Sequence, residues 1–217
     1  INKGTLRCIT NQVNVEGNIF VGGIAGASDA FLGSISSSTN NAPKISGFER
    51  VGGICGYIEL KSDNNTSVYP IRSCQNMGVV SGTASVGGIV GYVHVEETLN
   101  SLYSSPALDC YINNNSNNAT IFGTYSGGIV GYIYADSSHY YKDNDGRAFV
   151  YVANCCNTAD CGDGGLVGYM DARYYSPNSK YYNYSRCIDA DSYWLYDISN
   201  NIGNEVSVGN ETDNSNW

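Results

Sequence analysis

Four tyrosines that recur at one fixed position are the residues of this chain best suited to binding chemistry. Each ends a glycine-rich motif of the form Gly-Gly-Ile/Leu-x-Gly-Tyr, and the four are Tyr57, Tyr92, Tyr132 and Tyr169, with Ala27 in the first copy. An exposed row of such rings could stack on sugar rings or on a partner. Burial beneath the long, Tyr-rich loops is the favoured alternative, since apolar residues occupy both faces of the motif strand.

Cysteine is the second residue type with chemical potential, and the chain contains eight. No Cys-x-x-Cys spacing is present, so a zinc site is not indicated. Disulfides of a secreted protein are favoured over buried free thiols. The predicted disulfide cysteines, whose pairing the sequence leaves open, are Cys8, Cys74, Cys110, Cys155, Cys156, Cys161 and Cys187. Five of them, at Cys8, Cys74, Cys110, Cys155 and Cys187, precede Asn-rich turns and predict a cysteine ladder.

Sequons for N-glycosylation support an exported chain. They begin at Asn64, Asn65, Asn114, Asn118, Asn183 and Asn210. The high asparagine content weakens this signal, which applies only to a eukaryotic source.

Catalytic patterns are sparse. The two histidines, His94 and His139, stand apart, and there is no His-Glu-x-x-His motif. Acids that a glycoside-cleaving enzyme could use lie at irregular offsets, at Asp136, Asp143, Asp145, Asp160, Asp163 and Asp171. Asp143-Asn144-Asp145-Gly146 resembles part of a calcium loop but lacks its other acids, so an Asx turn is favoured. We therefore predict no enzyme activity, no metal and no cofactor.

Composition narrows the class of protein further. The 217 residues carry a net charge of −9, which argues against nucleic acid and anionic membranes as partners. No apolar run approaches the ~20 residues of a membrane span. The start at Ile1 rather than Met is typical of a mature or excised form.

The elements that would position these residues are repeated strands. The Gly-Gly pairs begin at Gly22, Gly52, Gly87, Gly127 and Gly164, at intervals of 30 to 40 residues. Frequent Gly, Asn and β-branched residues and the absence of a helical period predict an all-β fold. Stacking the copies predicts an aliphatic ladder of Ile24, Ile54, Ile89, Ile129 and Leu166 beside the tyrosine ladder. Length varies only after each motif, which is typical of loops on one side of a solenoid.

The units resemble GLUG repeats, whose Gly-Leu-x-Gly core is matched by Gly165-Leu166-Val167-Gly168 and, with Ile for Leu, by the other copies. The stretch from Cys74 to Gly82 resembles the fuller pattern of the family. The resemblance covers residues 1–190 and leaves 191–217 as a predicted C-terminal cap and tail. It implies a parallel β-solenoid of five to six coils at the surface of a cell, without a defined reaction.

The predicted function is that of a non-enzymatic extracellular structural or adhesive protein. Its partner would be another copy of itself, in a filament formed end to end or by tail exchange, or a surface glycan or protein. The alternatives are a glycan-binding module that uses the tyrosine ladder and the loops and, third, a glycoside-cleaving β-helix.

Overall fold

Short parallel strands joined by sharp turns wind the chain into a stack of coils. A computed structural model describes residues 1–62, 66–97, 107–137, 147–174, 184–190, 193–194 and 202–208. Every pairing between the named strands is parallel, and each strand pairs with its equivalent one coil away. The all-β solenoid that the repeats predict is thereby confirmed.

The strands follow one another coil by coil. The first coil contains β1 (Thr5–Arg7), β2 (Thr10–Asn11), β3 (Val15–Glu16), β4 (Ile19–Gly22) and β5 (Ala25–Asp29). The second contains β6 (Ser34–Ser36), β7 (Thr39–Asn40), β8 (Lys44–Ser46), β9 (Glu49–Gly52) and β10 (Cys55–Ser62). The third contains β11 (Thr66–Arg72), β12 (Gln75–Asn76), β13 (Val79–Gly87) and β14 (Val90–Glu97). The fourth contains β15 (Ala107–Asn113), β16 (Ser116–Asn117), β17 (Ile121–Gly127) and β18 (Val130–Ser137). The fifth contains β19 (Arg147–Ala153), β20 (Cys156–Asn157) and β21 (Val167–Tyr174), and the sixth β22 (Tyr184–Ala190), β23 (Tyr193–Trp194) and β24 (Ile202–Val208).

Four sheets form the walls of the stack. Sheet A contains β5, β10, β14, β18, β21 and β24, and sheet B contains β1, β6, β11, β15, β19 and β22. Sheet C contains the short strands β2, β7, β12, β16, β20 and β23, and sheet D contains β3, β4, β8, β9, β13 and β17. Sheets A, B and C therefore have one strand per coil for six coils.

Two apolar cores run along the stack. The main core lies between sheets A and B, where the predicted ladder of Ile54, Ile89, Ile129 and Leu166 is fully buried. The ladder is confirmed by its backbone bonds: the N–H of Ile54 donates to the carbonyl of Ile89, and that of Ile89 to Ile129. A second, smaller core inside sheet D consists of Val15, Val21, Ala42, Ile45, Val51, Val80, Val86, Ile121 and Cys161.

A ladder of asparagines, half-buried in the first coil and buried in the next four, lies beneath the Gly-Gly pairs. The asparagine ladder consists of Asn11, Asn40, Asn76, Asn117 and Asn157, one per coil in sheet C. Each Nδ2 donates to Oδ1 of the next member at 2.7–3.0 Å. A Cβ on Gly53 would lie 2.4 Å from Cγ of Asn76, and one on Gly88 would lie 2.5 Å from Cγ of Asn117. The second glycine of the first four pairs is therefore required, because backbone and asparagine ladder are in close contact there.

Among the described residues, positive-φ residues other than glycine make two corners in each of the first four coils and one corner in the fifth. Cys8, Ser37, Ser73, Asn114 and Asn154 turn the chain from sheet B into sheet C, with φ between 49° and 56°. Phe20, Arg50, Ser85 and Tyr125 form the second column, within or beside sheet D. This left-handed conformation is uncommon for bulky residues, and the stack repeats it at the same corner in successive coils.

The predicted cysteine ladder is wrong, and no disulfide is formed among the described cysteines. Cys8 lies at the corner, Cys74 and Cys155 lie one position later, and Cys110 lies within sheet B. Asn115 separates Cys74 from Cys155, and Val150 separates Cys110 from Cys187. Cysteines two coils apart are separated by about 9.6 Å along the stack, beyond the ~7 Å that a disulfide spans. The side chain of Cys187 lies outside the described residues.

The connections of variable length all leave sheet A and enter sheet B, as predicted for loops on one side. Residues 30–33 connect β5 to β6, and residues 63–65, 98–106, 138–146 and 175–183 separate the later pairs of strands. Among the described residues, no helix has the length and apolar character needed to cross a membrane.

Candidate functional site

The tyrosine ladder lies on the outer face of sheet A. Strand register places Tyr57, Tyr92, Tyr132 and Tyr169 directly above one another, with Ala27 before them and Asn204 after them. All four tyrosines are half-buried. The stacking of the four tyrosines in one column, which the sequence predicts, is therefore confirmed. Their rings are neither fully exposed nor fully buried.

The rings of the ladder stack mainly on one another. The centroids of Tyr92 and Tyr132 are 4.8 Å apart with the planes 3° from parallel, and those of Tyr132 and Tyr169 are 4.7 Å apart at 25°. Tyr57 and Tyr92 are 5.7 Å apart at 45°. Ring faces that contact each other are not available to a sugar ring, so the middle of the ladder offers a ligand its ring edges.

Residues of the second corner column cover one flank of the ladder. Phe20 lies 4.9 Å from Tyr57, and Tyr125 lies 4.6 Å from Tyr169. The guanidinium of Arg50 lies over the rings of Tyr57 and Tyr92, with Cζ 5.3 and 4.9 Å from their centroids. A cation over an aromatic face is attracted by the ring quadrupole. This flank is not predictable from the sequence, because nothing in the residue types indicates the positive φ that turns these side chains toward sheet A.

A polar strip forms the other flank. The hydroxyl of Tyr57 donates to Oε1 of Glu59 at 3.0 Å and lies 3.1 Å from Nδ1 of His94. Lys61 pairs with Glu96 at 2.9 Å and with Glu59 at 3.3 Å. Burial, followed by the neighbouring Glu59 carboxylate, raises the pKa of the Tyr57 phenol well above its usual range. Burial, followed by the charge of Lys61, lowers the pKa of His94.

Of the acids considered for a glycoside-cleaving enzyme, Asp136 and Asp171 lie on adjacent strands of sheet A, where Asp171 pairs in register with Tyr134. Asp136 and Asp171 are buried, and Asp136 accepts a 2.6 Å hydrogen bond from the hydroxyl of Tyr134. Asp160 is exposed, and Asp163 accepts a hydrogen bond from the backbone N–H of Ser126 at 3.0 Å. His139, Asp143 and Asp145 lie outside the described residues. The part of the chain that is described contains no group of three or more His, Cys, Asp or Glu arranged to hold a metal.

Two of the predicted glycosylation sites can be located. Asn114 and Asn118 are both exposed on the fourth coil, Asn114 at the positive-φ corner and Asn118 with its Oδ1 accepting from Thr158 at 3.1 Å. Asn64, Asn65, Asn183 and Asn210 lie outside the described residues. Glycosylation itself stays a prediction.

Fold and ladders define a class of protein, the parallel β-solenoids, in which each repeat adds one coil. Comparisons with protein-family models, with curated proteins and with solved structures find no match to this chain. The inferences about its role therefore depend on its own residues.

Proposed function

We propose that this chain is a non-enzymatic structural or adhesive module that acts outside the cell as a rigid stem. The observation that carries the proposal is that the repeated side chains interact mainly with one another within the stack. The tyrosine rings contact each other, the asparagine amides bond to each other, and the aliphatic ladder fills the core. The strand ends that flank the variable sheet A to sheet B connections lie along one side of such a stem, and we infer that this side contacts a partner. The two exposed sequons support an extracellular location.

The test compares stability with binding in Tyr92→Ala and Tyr132→Ala. If the tyrosine ladder is structural, each variant unfolds at lower temperature, because the ring stacking and its buried area are lost. Neither variant then changes any glycan-array signal that the intact chain gives. A variant with unchanged stability and lost glycan binding would contradict the proposal and support the glycan-binding alternative.

The structure of the first coil favours one form of this structural role, a filament in which copies of the chain stack end to end. Leu6, Val15 and Ile24, which align with the core ladders, are only partly buried there. Strands β1, β2, β3 and β4 each pair on one side only. Unpaired edges over an apolar end are a template for another coil, and a second copy could supply it.

Sedimentation velocity over a range of concentrations tests this version. We expect the intact chain to form larger species as its concentration rises and Leu6→Glu to stay monomeric, because stacking would bury the new charge. Phe122→Glu is the matched control, since Phe122 is 57% exposed on the fourth coil, away from the end. A monomer at all concentrations, or equal loss of assembly in both variants, would refute end-to-end stacking.

A further inference from the structure

A cleft with two arginines opens on sheet B, on the opposite side of the main core from the tyrosine ladder. Strand register aligns Arg7 of the first coil, Ser36 of the second and Arg72 of the third, followed by Asn113. The arginine cleft, as we call it, is lined by Arg7, Ser36, Ser37, Tyr69, Arg72, Ser73, Asn113 and Asn114 and encloses ≈ 340 Å³. This volume is at the lower end of the range found for small-molecule sites.

The cleft exists because the second coil has small side chains where its neighbours have large ones. Ser36 and Ser37 lie between the guanidinium-bearing coils, and Ser36 is only 5% exposed at the floor. Arg7 and Arg72 are two coil steps apart, about 9.6 Å along the stack. A group that enters the gap is therefore within reach of both flexible arginine side chains.

Charge gives the cleft a preference for anions. None of the described residues that line it carries a carboxylate, although acids outnumber bases by 20 to 11 in the whole chain. Neither Arg7 nor Arg72 forms an ion pair with another described residue. Guanidinium groups bind carboxylates and similar oxyanions through paired, charge-assisted hydrogen bonds. A single negative group between the two arginines would satisfy both and relieve their mutual repulsion.

An aromatic ring face borders the same cleft. Tyr69 stacks on Tyr111 at 4.6 Å and 15°, and Tyr111 in turn stacks on Tyr151 at 4.4 Å and 7°. This second row of rings ends at Tyr69, which is 44% exposed. The strand register slips between Val68 and Ile71, and β6 in the coil below carries only Ser34, Ile35 and Ser36. Tyr69 thus differs from Tyr111 in having one ring face open, toward the cleft.

We propose that the arginine cleft binds an acidic sugar unit, of the uronic acid class, at the surface of a polysaccharide or glycan. The arginines bind the carboxylate, the open face of Tyr69 stacks on the pyranose ring, and the serine hydroxyls and asparagine amides bond to the sugar hydroxyls. A nucleic acid is disfavoured because the net charge of −9 repels a dense polyanion, whereas one charge per ring fits one pair of arginines. This site is separate from the tyrosine ladder, so it can fail or succeed independently of the stem proposed above.

Binding of three small probes to the full chain separates the parts of the proposal. Methyl glucuronide carries ring and carboxylate, methyl glucoside the ring alone, and acetate the carboxylate alone. The chain is produced without N-glycosylation, because Asn114 borders the cleft. We expect methyl glucuronide to bind in the millimolar range, as followed by NMR titration, and the other two probes to bind at least about tenfold more weakly.

Variants at exposed positions locate the site without disturbing the fold. Arg7→Gln and Arg72→Gln should each weaken glucuronide binding about tenfold, since each removes hydrogen bonds to a charged group. Tyr69→Ala should weaken it several-fold. Lys44→Gln, an equal change of charge at an exposed position on sheet D, should leave it unchanged.

Several outcomes would overturn the proposal. Equal binding of glucoside and glucuronide would remove the role of the arginines, and equal binding of acetate would reduce the site to a general anion site. No detectable binding of glucuronide, or binding that survives Arg7→Gln combined with Arg72→Gln, would refute it. Unfolding curves of each variant confirm that a loss of binding is not a loss of fold.

Discussion

Nδ2 of Asn76 donates a 2.7 Å hydrogen bond to Oδ1 of Asn117, and both residues are completely buried. Asn76 also donates from Nδ2 to the carbonyl of Gly78 and accepts from the N–H of Gly78 through Oδ1. Each asparagine thus fixes the turn of its own coil and joins it to the next. Because a buried polar network is stable only when all its members are satisfied, the asparagine ladder specifies the register of the stack.

Removing one middle member of the asparagine ladder should destabilise the protein strongly. Asn76→Ala removes the partner of Nδ2 of Asn40 and of the backbone N–H and carbonyl of Gly78, and Oδ1 of Asn117 keeps only the N–H of Ala119. Each unsatisfied buried group costs about 1–3 kcal/mol. We expect a total loss of about 3 kcal/mol or more in the free energy of unfolding, measured by urea denaturation. Asn11→Ala is the control, because Asn11 is the half-buried end of the ladder and should cost about 1 kcal/mol. Equal losses in the two variants would contradict the role of the ladder.

The contact between the Gly-Gly pairs and the asparagine ladder gives a second prediction. A Cβ on Gly53 would lie 2.2 Å from the carbonyl oxygen of Gly88 and 2.4 Å from Cγ of Asn76. Since backbone and buried amide cannot move apart without breaking the stack, Gly53→Ala should prevent folding or lower the melting temperature more than any surface variant. Gly4→Ala, where no atom lies within 4 Å of the new Cβ, should leave the melting temperature unchanged. Circular dichroism melts of the two variants decide the matter.

The sequence predicted the ladders whose residues belong to the Gly-Gly motif, because the motif itself fixes their register. Tyr92 above Tyr57 and Ile89 above Ile54 follow directly from aligning the copies. The cysteine ladder failed because the copies were aligned on cysteine, whereas Cys74 has Asn115 as its neighbour on the next coil.

The asparagine ladder was missed although a signal was present. Asparagine occurs ten to twelve residues before the Gly-Gly pair in each of the first four coils, but it is so abundant in this chain that the recurrence did not stand out. The arginine cleft could not be predicted from the sequence. Arg7 and Arg72 are placed in one column, on either side of Ser36, only when the lengths of the coils between them are known. The flank formed by Phe20 and Arg50 could not be predicted either. It depends on positive φ at these positions, and the residues with positive φ in this column share no common residue type.

Acid should weaken the fold through His94. Burial lowers the pKa of His94 in the folded state, so the unfolded chain binds its proton first as the pH falls below the usual value of about 6.5. Above about pH 6.5, the free energy of unfolding therefore does not depend on the protonation of His94. Below that pH it decreases, until the pH reaches the pKa of His94 in the folded protein. The charged or titratable groups described around the imidazole are Tyr57, Glu59, Lys61, Tyr92, Glu96, Tyr134 and Asp136.

His94→Gln removes the titration while keeping a polar partner for Tyr57. Between about pH 7.5 and about pH 5.5, we expect the urea midpoint of the intact chain to fall further than that of His94→Gln. Glu16→Gln, at an exposed position on β3 away from this cluster, should keep the full pH dependence. Parallel curves for the intact chain and His94→Gln would show that His94 does not contribute.

Thiol reactivity distinguishes buried free cysteines from disulfides. None of the seven cysteines whose side chains are described forms a disulfide: Cys8 is exposed, Cys156 is half-buried, and Cys55, Cys74, Cys110, Cys155 and Cys161 are buried. Burial raises the pKa of Cys55 and Cys110 to about 12 and that of Cys161 to about 11. Since the thiolate is the reactive form, burial and these pKa values both suppress reaction in the folded state.

In a Cys187→Ser background, a disulfide-exchange reagent added at neutral pH without reductant should react rapidly with one thiol. That rapid phase belongs to Cys8 and should be absent after Cys8→Ser, whereas Cys156 should react more slowly. The five buried thiols should react only after unfolding in guanidinium, when the total reaches seven. A total below seven in the unfolded, unreduced chain would mean that disulfides form in solution, and peptide mapping would then identify which coils they join.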